Sequence, residues 1–346
     1  MKKLLIFFAI LLVCSTKVSA MDFTAPSAPE SVSEYMPAQS STFWNDLWHI
    51  IQSALPELMP NFTQALRMCI ALIAIAFFVS ISKNLSDMSQ KTIVFVGMIA
   101  TSTVLLEPSK SMIYLGTDTI QQLSEYGKLL LPVMTASLAA QGGVTTSASL
   151  YTGTILFNSV LVFCITKIIV PCVYAYLIAS IASSVLSTDI LSGLCSCMKW
   201  LMTWLLKIIL YIFTGYMGIT GVISGTADAA GVKAAKITLS GVVPVVGGIM
   251  SDASEAILVS AGLMKNAAGI YGFLALAAIL ISPFLKIGIQ YLLLKATAAI
   301  CGVLGSKEIS KLVGSFSGAM GIMLATAGSV CIMFLFSIFC YMKGLL

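Results

Sequence analysis

Asp252 and Glu255 are the carboxylates most able to do chemistry in this chain. They stand three residues apart, so a helix presents both on one side. At bilayer depth a carboxylate is costly, and one that persists there marks a gate, a relay or a binding site. At the membrane interface Asp252 is an acidic residue in a helix's first turn, with Ser251 a candidate cap. Both readings stay open. Lys265 and Asn266 follow in the same small-residue stretch. The glycine pairs Gly142-Gly143 and Gly247-Gly248, the second just after Pro244, can break a helix where backbone lines a cavity. Together these residues would line or gate a conduit, glycines and proline setting the breaks and the four polar side chains facing the path. Close packing of small-residue helices is the alternative.

Other chemistries are excluded by what the chain lacks. It has one histidine, His49, ahead of the first long apolar stretch and beside Trp44 and Trp48. A Ser-His-Asp triad or a His-rich metal site in the membrane is therefore impossible. Cys195-Ser196-Cys197 is the sole cysteine cluster, and a C-x-C without further ligands is a weak metal signal. The other membrane cysteines act as small hydrophobes. There is no P-loop, dinucleotide fingerprint or nucleophile elbow. The expectation is no enzyme, no cofactor and no built-in energy source.

The elements that must carry these residues are membrane helices. Of 346 residues, 58% are hydrophobic and only 10% charged, and the mean hydropathy is +1.00. A soluble globule carries about 25% charged residues. Lysine is dispersed and Arg67 is the one arginine, so no basic cluster could track a nucleic acid. Apolar stretches run at 66–81, 92–106, 150–166, 168–186, 200–223, 261–282, 284–304 and 318–342. A spanning helix needs about 20 residues, which predicts an all-α polytopic fold of about eight transmembrane helices. Two shorter stretches, 129–140 and 241–249, read as re-entrant or interfacial segments.

Residues 1–20 read as a signal peptide. Lys2 and Lys3 precede a short apolar core, and Val18-Ser19-Ala20 suits signal peptidase. An uncleaved anchor is the alternative. Cleavage leaves the new N-terminus outside the cytoplasm. Residues 21–65 then form an extracytoplasmic linker and an interfacial helix over 42–55. Residues 66–128 form a two-helix hairpin with an outside loop at 107–128.

An internal repeat is legible beyond that. Pro132 precedes Pro171 by the same interval that separates Pro244 from Pro283, and LLPV at 130–133 matches VVPV at 242–245. The copies are 129–223 and 241–342. Three spans in each, an odd number, would invert one copy relative to the other. Lys83, Lys91, Lys167, Lys233, Lys236, Lys307 and Lys311 then fall on the inside, as the positive-inside rule favours.

The run ADAAGVKAAK at 227–236, continuing through PVVGGIMSDASEAILVSAGLMKNAAGIYG to Gly272, resembles the signature region of the stage III sporulation protein AE family. GGVTTSAS at 142–149 fits as well, and the resemblance covers roughly residue 129 to the C-terminus. Residues 21–65 carry no family motif and are short for it. The resemblance implies a member of an eight-protein operon of endospore-forming bacteria, made in the mother cell and placed in the membrane around the forespore. It implies a transenvelope channel complex resembling secretion systems. The implied partners are sister membrane and ring-forming subunits, a cytoplasmic secretion-type ATPase, a forespore membrane partner and membrane lipid. No catalytic residues come with it. A secondary transporter built on an inverted repeat is the competing expectation. It needs polar groups in both copies, yet Glu255 projects onto Gly143.

Overall fold

The computed structural model describes residues 26–27, 29, 43–85, 90–186, 189–242 and 247–343. Within these the side chains of 84–85, 186, 189–190, 221–227, 229–242 and 247–265 lie outside the description. The signal-peptide reading of 1–20 also falls outside it. Every regular element among the described residues is helical. In chain order they are α1 (Phe43–Ala54), α2 (Leu58–Leu85), α3 (Gln90–Ala140) and α4 (Val144–Cys164). A π-helical turn (Ile165–Ile169) leads into α5 (Val170–Leu186), followed by α6 (Asp189–Val242), α7 (Gly247–Val303) and α8 (Lys307–Lys343).

Six helical stretches among the described residues are long and apolar enough to cross a membrane. The chain is an all-α polytopic membrane protein, as expected, but with fewer and longer elements than about eight spans. The expected outside loop at 107–128 is helix, and so is the expected re-entrant segment at 129–140; both belong to α3. The physical reason lies in the spacing. Leu105, Ile113, Gly116, Ile120, Leu123, Gly127 and Leu130 recur at helical intervals and are all buried, while the charges between them face outward. Averaged hydropathy reads such an amphipathic helix as a loop. At 1.5 Å per residue, α3 is about 77 Å long. The stretches 150–166 and 168–186 likewise join through the π-helical turn, with the exposed Lys167 as one interruption of hydropathy and not of backbone. Pro283 sits inside the continuous α7.

The helices run side by side. The hydroxyl of Ser317 on α8 donates to the Tyr291 carbonyl on α7 at 3.1 Å, and Ser310 donates to Ala298 at 2.7 Å, so these two are antiparallel. The hydroxyl of Tyr216 on α6 reaches the Ser149 carbonyl on α4 at 3.2 Å, while Ser180 on α5 lies 3.5 Å from Cys195 near the start of α6. α4–α5 and α6 thus form a second antiparallel hairpin. Thr154 meets Ser337, and Tyr176 lies beside Gly318, which sets α4–α5 antiparallel to α8 and parallel to α7. The two hairpins therefore point the same way. Each repeat copy holds two long helices and not three spans, so the odd-number argument for inversion does not apply.

α8 is the central helix: 61% of its most apolar window is buried, against 28–44% in the other five. Small residues let its neighbours approach. A Cβ at Gly127 would run into the Phe334 ring on α8, and one at Gly153 would run into the Tyr216 ring on α6. The expected interfacial helix forms as α1, but it packs lengthwise along α7. Phe43 meets Phe273 edge-on at 5.4 Å, and Glu57, just past α1, binds Ser282 and Lys286, each at 3.1 Å. Ile50 and Ala54 are buried, and Trp44 and Trp48 face outward.

Candidate functional site

The expected break at Gly142-Gly143 is a helix–turn–helix corner. Gly142 has φ +96°, the left-handed region that glycine enters without steric cost. Its N–H donates to the Ala139 carbonyl at 2.9 Å, and the Gly143 N–H donates to the Leu138 carbonyl at 3.1 Å. This pair of bonds is a Schellman closure of α3. α4 then starts at Val144 with no side-chain cap from Gly143. The cap comes from another helix. The carboxylate of Asp228 on α6 accepts the Thr145 N–H at 3.1 Å and the Thr146 N–H at 2.7 Å. Burial alone would raise the Asp228 pKa. The hydrogen bonds from Thr146 and Thr145 outweigh it and hold the carboxyl below its ordinary 3.8. Positive helix-end charge acts in the same direction.

Below this corner a buried polar ladder joins α3, α4 and α8. Thr135 and Tyr341 share a hydrogen bond of 2.9 Å, Thr154 and Ser337 one of 2.7 Å, and the Asn158 amide donates to Ser124 at 2.9 Å. Such bonds hold membrane helices together in fixed register.

The outward face of α3 carries the third feature. Glu107, Lys110, Ser111, Tyr114, Gln121, Glu125 and Lys128 are exposed, with Asp118 half-buried on the same line. The stripe is about 32 Å long, close to the ~30 Å hydrocarbon thickness. Its upper part opens beside a small cleft that Asn61, Gln64, Ser111, Lys286 and Gln290 help to line.

Of the residues singled out above, the structure brings Gly142 and Gly143 together at the corner. Asn266 is exposed near the level at which α3 ends, and Gly269 on the same helix meets Met134 and Met342. Pro244 lies outside the described residues. Gly247, Gly248, Asp252, Glu255 and Lys265 fall within α7, but their side chains are outside the description. Asp228 was missed as a site residue, although it sits in the quoted ADAAGVKAAK run. A lone acid among small residues was the available signal. The expected inside lysines split. Lys83 pairs with Glu308 at 3.3 Å and lines one cavity with Lys91, and Lys307 and Lys311 open α8 at that same end. Lys167 is mid-helix, and Lys233 and Lys236 follow Asp228 in α6, away from that end.

Among the described residues no group of three or more His, Cys, Asp or Glu side chains could hold a metal ion. The geometry builds a capped corner, a rigid interior and one polar outer face. No solved structure matches the chain. Stage III sporulation protein AE of Bacillus subtilis (strain 168) is 25% identical over 222 residues, which cover 64% of this chain and 56% of that relative. The match thus spans little more than half the relative's length. The family model described as Stage III sporulation protein AE matches residues 31–343. With every described helix inside that match, the chain belongs to the stage III sporulation protein AE family.

Proposed function

We propose that this chain is a non-enzymatic membrane subunit of a transenvelope channel complex between mother cell and forespore, required for endospore development. Family membership supports the sporulation role. The observation that carries the subunit role is the polar stripe of α3. In a lone chain, those of Glu107, Lys110, Glu125 and Lys128 that stand at bilayer depth would face hydrocarbon at several kcal/mol each (~2.5–3.5 for a lysine or an aspartate at the centre). Such a face calls for a partner subunit or a water-filled path opposite it.

The chain sits in the mother-cell-derived outer forespore membrane. The end carrying Lys83, Lys91, Lys307 and Lys311 faces the mother-cell cytoplasm, opposite the end at which α2 begins. α2 rises toward that end, which leaves the N-terminus in the intermembrane space. Partners are the sister membrane and ring proteins of the same operon, a secretion-type ATPase at the lysine-rich end and a forespore membrane protein. The transporter alternative loses its main support, because the two helical hairpins share one direction.

The test is a clean deletion in the source organism with a complementing fluorescent fusion, imaged through sporulation. Engulfed forespores that shrink and lose late transcription, with the fusion ringing them, support this reading. Normal sporulation with the fusion spread over the vegetative envelope overturns it.

A further inference from the structure

A second polar feature lies away from the α3 stripe, between α5, α6 and α8. It is a cavity of about 280 Å³ lined in part by Tyr176, Ser180, Ser184, Ser192, Lys199 and Lys311. Ser183, Ser196 and Ser315 line it too, with Ser196 donating to the Ser192 carbonyl at 3.1 Å and Ser315 to the Lys311 carbonyl at 3.0 Å, so the hydroxyls offered to a ligand are chiefly those of Tyr176, Ser180, Ser184 and Ser192. Tyr176, Ser180 and Ser184 are buried and form the inner part of the recess, while Lys199 and Lys311 are exposed at its mouth. Beside the recess, a Cβ at Gly318 on α8 would come 3.3 Å from the Tyr176 hydroxyl and 3.6 Å from Lys199 Nζ, so those two polar groups from α5 and α6 approach the same point of α8. None of the described lining residues is acidic. Among the described residues neither lysine has a carboxylate within ion-pair distance.

Lysine supplies a compact positive charge, and each serine or tyrosine hydroxyl can donate one hydrogen bond. Two ammonium groups above a floor of hydroxyls match a tetrahedral oxyanion, whose oxygens accept several such bonds at once. A metal is a poor fit, because Cys195 is the one soft ligand and no imidazole or carboxylate accompanies it. The recess lies near the end where Lys83, Lys91 and Lys307 gather, Lys311 standing one turn along α8 from Lys307. Basic pockets between membrane helices at a lysine-rich face are where anionic headgroups bind.

We propose that this recess is a phosphate-group site, filled by the phosphodiester of an anionic phospholipid or by free phosphate. The hydroxyls read the oxygens, and Lys199 and Lys311 balance the charge. This assignment is independent of the channel reading.

The test uses the purified full-length chain in detergent, with native mass spectrometry of retained phosphatidylglycerol against phosphatidylcholine. Inorganic phosphate binding is followed in parallel by phosphorus NMR. Expected is a preference for phosphatidylglycerol that falls about 30-fold in Lys199→Gln/Lys311→Gln, each lysine contributing ~5-fold. Lys343→Gln at the far end should bind as the parent does. Ser180→Ala/Ser184→Ala should weaken binding without a change of charge, and Lys199→Arg/Lys311→Arg should restore most of it. Circular dichroism checks that each variant is folded. Phosphatidylglycerol preference with no phosphate binding assigns the lipid as the source. Phosphate binding with the same lysine dependence and no lipid preference assigns the free anion. Equal retention of both lipids with no phosphate binding, or a folded double lysine variant that binds like the parent, overturns the site.

Discussion

Asp228 on α6 holds Thr146 on α4 by its backbone, the carboxylate accepting that N–H at 2.7 Å. The acid stands where α4 would otherwise expose unpaired donors at its first turn. It also ties the far part of α6 to the corner made by Gly142 and Gly143.

Asp228→Ala should therefore destabilise the protein by about 1 kcal/mol or somewhat more, the cost of losing a cap with a charged acceptor. Thermal unfolding in detergent measures it, and Asp228→Asn should recover part of the loss. The pH dependence has a definite sign. The folded pKa lies below the ordinary value, so the contribution is complete above 3.8 and fades as pH falls through the folded value. Wild type and Asp228→Ala should differ by a constant amount at neutral pH and converge in strong acid.

Gly127→Ala should clash with Phe334 and cost about 1–3 kcal/mol as an overpacked contact. Adding Phe334→Leu should relieve part of that cost, giving a double variant more stable than the sum of the two singles. Additive losses would show that α3 and α8 do not approach as closely as described.

Thr154→Val and Ser337→Ala should be coupled. Interhelical hydrogen bonds between membrane helices average about 0.6 kcal/mol and reach ~1.7. A double-mutant cycle on unfolding should return a value in that range, favouring the pair. A cycle near zero would remove this rung from the ladder.

Single cysteines along α3 should separate by face. In a background whose native cysteines, the exposed Cys197 among them, are replaced by alanine or serine, a water-soluble maleimide should label positions Lys110, Tyr114, Gln121 and Glu125 of the purified chain, while Ile113, Ile120 and Leu123 stay protected. In the assembled complex, labelling that persists at the first set marks a water path. Labelling that is lost there marks a subunit contact.

The membrane class of the fold was legible because so little charge is present. Its helix boundaries were not. Lys167, Pro283 and the acids of 107–128 interrupt hydropathy, and a span-counting argument takes each as a loop. The backbone runs through the charged positions because a charge on one face of a helix leaves its hydrogen-bonding unaffected, and at Pro283 the helix continues despite the one N–H that proline removes. The corner at Gly142-Gly143 was readable, since two adjacent glycines at the end of an apolar helix invite a left-handed turn. Asp228 was hidden for a different reason: it stands out as a lone acid among small residues, but nothing local says that it caps a helix more than 80 residues earlier in the chain. The serines of the recess are individually ordinary too, and they acquire a common purpose only when α5, α6 and α8 bring them together.

The π-helical turn at Ile165–Ile169 is a phase adjuster. It absorbs one surplus residue, and each residue in a regular α-helix advances the face by about 100°. Ahead of it, Thr154 aims at α8; beyond it, Tyr176 does. If the turn relaxed into regular α geometry, everything from Val170 onward would rotate relative to Thr154 and Asn158. The ladder and the serine-lined recess could not then both face their partners. Two polar features about 33 Å apart along one helix are thus geared to each other through five residues, and a one-residue insertion or deletion there would throw one of them out of mesh.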